Sequence, residues 1–215
     1  SSDLLNLSLG GGGACDATTQ NAINGARSRG AVVVVAAGND AVNVSNASPA
    51  NCSGVIAVAA TGRTGGRASY SNFGTLVDVA APGGDGASGV LSTLNSGTGA
   101  PAADSYAAYQ GTSMATPHVA GVAALMLAVN TNLTPDEIES KLKSTARAFP
   151  ASCSGCGTGI VDAAAAVASA TGGGGGTPVT TLAESESNNT TGTADPVAAS
   201  NTTVTGNLGS TTDTD

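Results

Sequence analysis

The sequence predicts an α/β domain: a mostly parallel sheet flanked by helices. Three observations carry that prediction. Ala31–Ala36 (AVVVVA) is a continuous β-branched run, as expected of a strand buried on both faces of a parallel sheet. Similar short apolar runs alternate with segments bearing helix start and stop signals. The 215 residues are 40% hydrophobic but only 2% aromatic, with 31 glycines, so the core is built from alanine and valine and its elements pack closely.

Taken in order, Asp3–Leu9 (DLLNLSL) has four leucines in seven residues and reads as a buried strand. Asp16–Arg29 sets Ala17, Ile23 and Ala26 among polar residues, a helix stopped by Gly30. Val55–Ala60 and Leu76–Ala80 are two more apolar strands, and Val90–Leu94 a further one. Thr116–Val129 is apolar nearly all round, which predicts a buried central helix starting near Ser113. Thr134-Pro135-Asp136-Glu137 combines an N-cap, a proline at the first helical position and a capping-box glutamate. Asp162–Ala170 is a short alanine-rich helix. Gly172–Gly176 is a run of five glycines, and 172–182 reads as a linker. Beyond it, 183–215 is rich in Thr, Ser and Asn, and pieces such as Thr203–Leu208 suggest the start of a β-rich module.

Charge and hydropathy exclude several function classes. The formal charge of −8 argues against a nucleic-acid partner, which calls for a basic face. Five of the acidic residues lie in Val179–Asp215, which has no Lys or Arg. The chain is too apolar for disorder throughout. No apolar run reads as long enough to span a membrane, since Val119–Val129 is short and interrupted by Gly121.

The cysteines, Cys15, Cys52, Cys153 and Cys156, allow three pairings, and the residues alone do not choose. Cys153-x-x-Cys156 reads as a redox pair, half a zinc site or a small disulfide ring. Zinc is disfavoured, because four Cys or His ligands at suitable spacing are not there.

Two segments carry chemistry. The first is Ala36–Asp40 (AAGND), directly after the AVVVVA strand. Functional groups of parallel sheets gather beyond the carboxyl ends of strands, so Asn39 is placed to aim an amide into a crevice. A local turn bond is the plainer reading of that asparagine. The second is Gly111–Gly121 (GTSMATPHVAG). Pro117 lacks an N–H and is tolerated only in a first turn, so the helix starts near Ser113. Backbone N–H groups and the helix dipole there favour developing negative charge. Taken alone, Ser113 reads first as an N-cap and second as a nucleophile. His118 is the single histidine. Five residues along a helix give a rise of about 7.5 Å and a turn of roughly 140°, so its ring points away from Ser113. It reads as a core histidine.

These segments together resemble the subtilisin-like serine peptidases (peptidase S8). GTSMATPHVAG resembles the nucleophile segment, VVVVAAGND the oxyanion segment, LLNLSLGG the substrate-binding strand and YSNFGTLVDVAAPG a further shared stretch. They occur in family order over about Ser1–Thr171. The resemblance implies a secreted endopeptidase acting on protein or peptide substrates. Ser113 would be the nucleophile and Asn39 the oxyanion donor. Ser8, Leu9 and Gly10 would offer backbone to an extended peptide. Ala36, Ala37 and Gly38 would line a roomy apolar specificity pocket, with Ala47 near its floor. No cofactor is needed for catalysis. Asp78, with the carbonyls of Ser53 and Val55, matches a calcium position of some members. Oxidising surroundings make Cys15–Cys52 and Cys153–Cys156 the expected disulfides.

The family's triad runs Asp, then His, then Ser. Neither an aspartate motif nor a histidine motif is present in these 215 residues. The expectation is therefore the C-terminal part of a peptidase domain, inactive alone, whose partner is the rest of its own domain. Aggregation, or disorder near Ser1–Leu9, is expected without that part. The alternative is a non-catalytic peptide-binding protein of the same fold. The tail from Ala183 resembles the opening of a bacterial pre-peptidase C-terminal domain.

Overall fold

The computed structural model describes residues 4–171 together with 180–183 and 202–205. The chain divides into two compact units, Ser1–Thr171 and Gly172–Asp215. The first is built on a parallel sheet of β1 (Leu4–Leu7), β3 (Val32–Ala36), β5 (Ile56–Thr61) and β6 (Val79–Pro82), in that spatial order. A short antiparallel pair joins β2 (Gly11–Gly12) to β4 (Ala47–Ser48). A separate hairpin is formed by β7 (Val90–Asn95) and β8 (Asp104–Tyr109). The helices are α1 (Ala17–Arg27), α2 (Thr112–Val129), α3 (Pro135–Thr145) and α4 (Ala163–Ala170). In the second unit, β9 (Thr180–Ala183) and β10 (Thr202–Thr205) pair in parallel. The glycine linker and the rest of the expected C-terminal module lie outside the described residues.

Two apolar layers enclose the sheet. Val32, Val34, Ile56, Val58 and Val79 face α2, α3 and α4, while Val33, Val35, Ala57 and Ala59 face α1 and the loops after β3 and β4. β3 and β5 are buried along their whole length, as their unbroken apolar runs require. Helix starts follow the sequence signals. Asp16 accepts from Thr18 N and Thr19 N, Asp162 from Ala165 N, and Thr134 with Glu137 completes the capping box of α3.

Two burial expectations are corrected, for β1 and for α2. β1 is half-buried rather than buried, because it is the sheet edge and pairs only with β3. Leu4–Leu7 pair residue for residue with Val32–Val35. The Val90–Leu94 strand is present as β7 in the hairpin, whose partner β8 the sequence reading missed. α2 is not buried all round, since Pro117, His118, Gly121, Leu125 and Val129 are exposed along one stripe. At 18 residues it also reaches membrane-spanning length and apolarity. It packs on β1, β3, β5, β6 and α4, so it serves as the core helix of this unit.

Candidate functional site

The site is built where β3 ends and α2 begins. After Ala36 the chain turns through Gly38, whose φ of +104° lies in the left-handed region. A side chain there would stand 2.3 Å from the Asn72 amide nitrogen, so glycine is required on both counts. Asn72 is fully buried and holds the loop from three directions. Its carbonyl oxygen accepts from Asp40 N (3.0 Å) and Val42 N (3.1 Å), and its amide donates to Ala37 O (2.8 Å).

This loop presents Asn39 to the first turn of α2. Asn39 Oδ1 accepts from Thr112 N (2.8 Å) and from Thr112 Oγ1 (2.9 Å). Thr112, fully buried, also accepts from Gly38 N at 3.1 Å. Both donors of Thr112 thus select the oxygen end of the carboxamide, and the NH₂ end is turned the other way. A methyl group built on Gly111 would lie 3.6 Å from Ser113 N and 3.7 Å from Asn39 Nδ2. The two N–H donors therefore flank one space. Ser113 N–H is among the first helical N–H groups, which have no partner inside the helix.

Pro117 stands inside α2 as its sixth residue, not in the first turn that the proline argument requires. Ser113 follows Thr112 in that first turn. Its Oγ donates to Ser8 O at 3.3 Å, and Ser8 Oγ donates to Ser113 O at 2.9 Å. This reciprocal pair fastens the end of β1 to the start of α2. Beside it lies a cavity of about 280 Å³ lined by Leu9, Gly10, Ala36, Ala37, Gly38, Asn39, Ala47 and Ser113, among others. The structure thus gathers every expected pocket residue around the serine. Ser8 stands outside the lining and bonds the serine instead. Asp40, Ser48 and Thr112 complete the wall, so the pocket is more polar than an all-alanine lining implies.

His118 is exposed, not a core residue, and its Nδ1 lies 2.8 Å from Met114 O. It lines a second hollow of about 330 Å³ together with Ser113 and Leu91, but no hydrogen bond joins it to the serine. Among the described residues, Ser113 Oγ has no base beside it.

The disulfides are Cys15–Cys52 and Cys153–Cys156. The calcium residues do not fit that ion. Asp78 Oδ1 accepts from Lys143 Nζ (2.8 Å), its Oδ2 accepts from Ala57 N (2.9 Å), and Ser53 O accepts from Gln20 Nε2 (2.9 Å). Calcium takes six to eight oxygens, and two of the three residues expected to supply them are already bonded.

Sequence reasoning missed Thr112 and Asn72, which hold Asn39 and its loop. Both lie inside quoted segments, GTSMATPHVAG and YSNFGTLVDVAAPG. Their signal was a polar residue within a segment whose neighbours are buried.

The chain matches the subtilase family of peptidase S8 over residues 1–194, and it belongs to that family. It is 64% identical over 163 residues to an extracellular protease of Xanthomonas campestris pv. campestris, covering 75% of this chain and 27% of that protein. It is 42% identical over 165 residues to an extracellular basic protease of Dichelobacter nodosus, covering 74% and 27%. A solved structure of a protease from Pseudoalteromonas arctica PAMC 21717 superposes with a TM-score of 0.77 at 64% identity, covering 78% of this chain and 51% of that one. The chain therefore spans about a quarter of those two curated relatives and about half of the solved chain.

Proposed function

We propose that this chain carries the nucleophile, oxyanion and peptide-binding half of a secreted serine endopeptidase. Ser113 attacks the peptide carbonyl. Its own N–H and the Asn39 amide stabilise the oxyanion that follows. The carbonyl side of the substrate lies along Ser8, Leu9 and Gly10, with one side chain in the cavity floored by Ala47. The observation that carries this reading is the orientation of Asn39: Thr112 holds its oxygen, so its NH₂ faces the space beside Ser113 N. A pure binding module has no use for that arrangement. The names of the relatives, both extracellular proteases, support secretion.

The acid and base of the triad come from polypeptide outside these 215 residues. The single histidine, His118, is engaged by Met114 O, and the exposed stripe of α2 begins one turn from Ser113. That stripe is the surface on which the base-bearing part of the domain would rest. The 215 residues alone are expected to leave a chromogenic peptide intact. Supplied with the acid- and base-bearing remainder of the domain, they are expected to hydrolyse it. Ser113→Ala then lowers kcat by about 10⁶, the order found on losing the serine of a subtilisin. Asn39→Ala lowers kcat by about 10²–10³ with little change in KM, as for one such donor in a subtilisin. Ordinary rates from the 215 residues alone, abolished by Ser113→Ala, would overturn the division.

A further inference from the structure

Asp78 and Lys143 are 65 residues apart in the chain, yet their charged groups meet at 2.8 Å. The backbone around Asp78 is clamped. Asp78 N donates to Ala57 O, and Asp78 O accepts from Thr158 N, each at 2.9 Å. Gly157, with φ of +80°, lies so close that a side chain there would stand 2.3 Å from the Asp78 carbonyl. The Cys153–Cys156 disulfide closes the turn that delivers Gly157. Asp78 thus cannot move far to find a partner, and the partner comes to it.

Glu139, one turn earlier on α3, lies 3.5 Å from the same ammonium. The lysine therefore sits between two carboxylates, with side-chain exposures of 13% for Asp78, 26% for Glu139 and 36% for Lys143. Its hydrogen bond to Asp78 holds the Lys143 amine above its ordinary range. Burial, and then the charge of Asp78, push the Glu139 carboxyl up. Without a cation here, two partly buried like charges face each other. A hollow of about 420 Å³, lined by Glu139, Lys143, Ser144 and Thr158 among others, gives solutes access to Glu139 and Lys143.

We propose that the Lys143 ammonium is the resident cation of this site. It takes the position into which Asp78 and Glu139 would otherwise draw a divalent metal. The locus is thereby metal-independent in this chain, and removing the lysine uncovers a site for a hard, oxygen-seeking cation such as calcium.

The test is thermal unfolding of the chain joined to the acid- and base-bearing remainder of its domain, in EGTA and in millimolar calcium chloride. The readout is the calcium increment, the midpoint in calcium minus the midpoint in EGTA. Wild type and Asp78→Asn are expected to show the same increment, with Asp78→Asn melting lower in both media by about 2–4 °C. Lys143→Met keeps the apolar stem and removes the charge. It is expected to melt lower in EGTA and to gain an increment on the order of 2–4 °C, lost again in the double variant with Asp78→Asn. A wild-type increment that Asp78→Asn abolishes would overturn the proposal, and so would a folded Lys143→Met with no gain. If Lys143→Met does not fold, the comparison of wild type with Asp78→Asn decides.

Discussion

The loop after β3 and the β7–β8 hairpin both border Ser113, and they are built on opposite terms. In the loop, Asn72 and Thr112 are fully buried and each of their side-chain polar atoms has a partner. In the hairpin, Leu91 (68% exposed) and Tyr106 (73%) lie in open solvent, and two strands make up the whole sheet. A two-stranded sheet contributes little stability by itself. One wall of the site is thus fixed by hydrogen bonds internal to this unit. The other has apolar surface still to be covered. A preorganised donor belongs on the first wall, because a donor that must reorganise during the reaction gives up much of its value.

The comparison can be broken by measurement. Its largest expected effect is Asn72→Ala, which strips partners from Asp40 N, Val42 N and Ala37 O at once. Urea unfolding should show a loss of about 3 kcal/mol, from buried groups left unpaired. Thr112→Val removes the hydroxyl that bonds Asn39 and Gly38 N and leaves the backbone bond in place. A loss of about 1 kcal/mol in stability is expected. In the completed enzyme, kcat should fall while KM holds, because one bond instead of two then holds Asn39.

A smaller effect lies at the capping box of α3. Hydrogen bonds from Thr134 N–H and then its hydroxyl hold the Glu137 carboxyl below its ordinary range. A depressed folded value means the contribution is present above about pH 4.5, the unfolded value, and is lost as pH falls through the folded one. Glu137→Gln retains an acceptor that does not titrate. Melting curves below pH 4.5 should therefore be flatter for that variant than for wild type. The smallest effect is Tyr106→Ser on the hairpin, within about 0.5 kcal/mol of wild type by urea unfolding. A cost there equal to that of Asn72→Ala would remove the distinction between the two walls.

Much of this was legible in the sequence because it depends on neighbours along the chain. The AVVVVA run gave a doubly buried strand, and Thr134 with Glu137 gave a helix start. Pro117 pointed to a helix start near Ser113, although it stands as the sixth residue of α2 and not in its first turn. Errors arose where burial depends on what packs from far away. The leucines of β1 cannot announce that only one side of the strand is paired. The apolar residues of α2 cannot tell which face is left open. His118 reads as a core residue because helix geometry turns its ring away from Ser113, yet it sits on that open face.

The sequence by itself determined the helices, the strands β1, β3 and β5 and the family, and it named the serine and the asparagine as candidates; β6 starts at Val79, three residues after the expected Leu76. Each follows from periodicity, capping chemistry or motifs contained within a few consecutive residues. Only the tertiary structure decided which end of Asn39 faces Ser113, since Thr112 makes that choice across 73 residues. It likewise decided that Asp78 meets a lysine, 65 residues away. The reason is physical. A carboxamide has two nearly isosteric ends and a carboxylate takes any cation, so the side chain alone leaves its role open and the partner brought by the fold settles it.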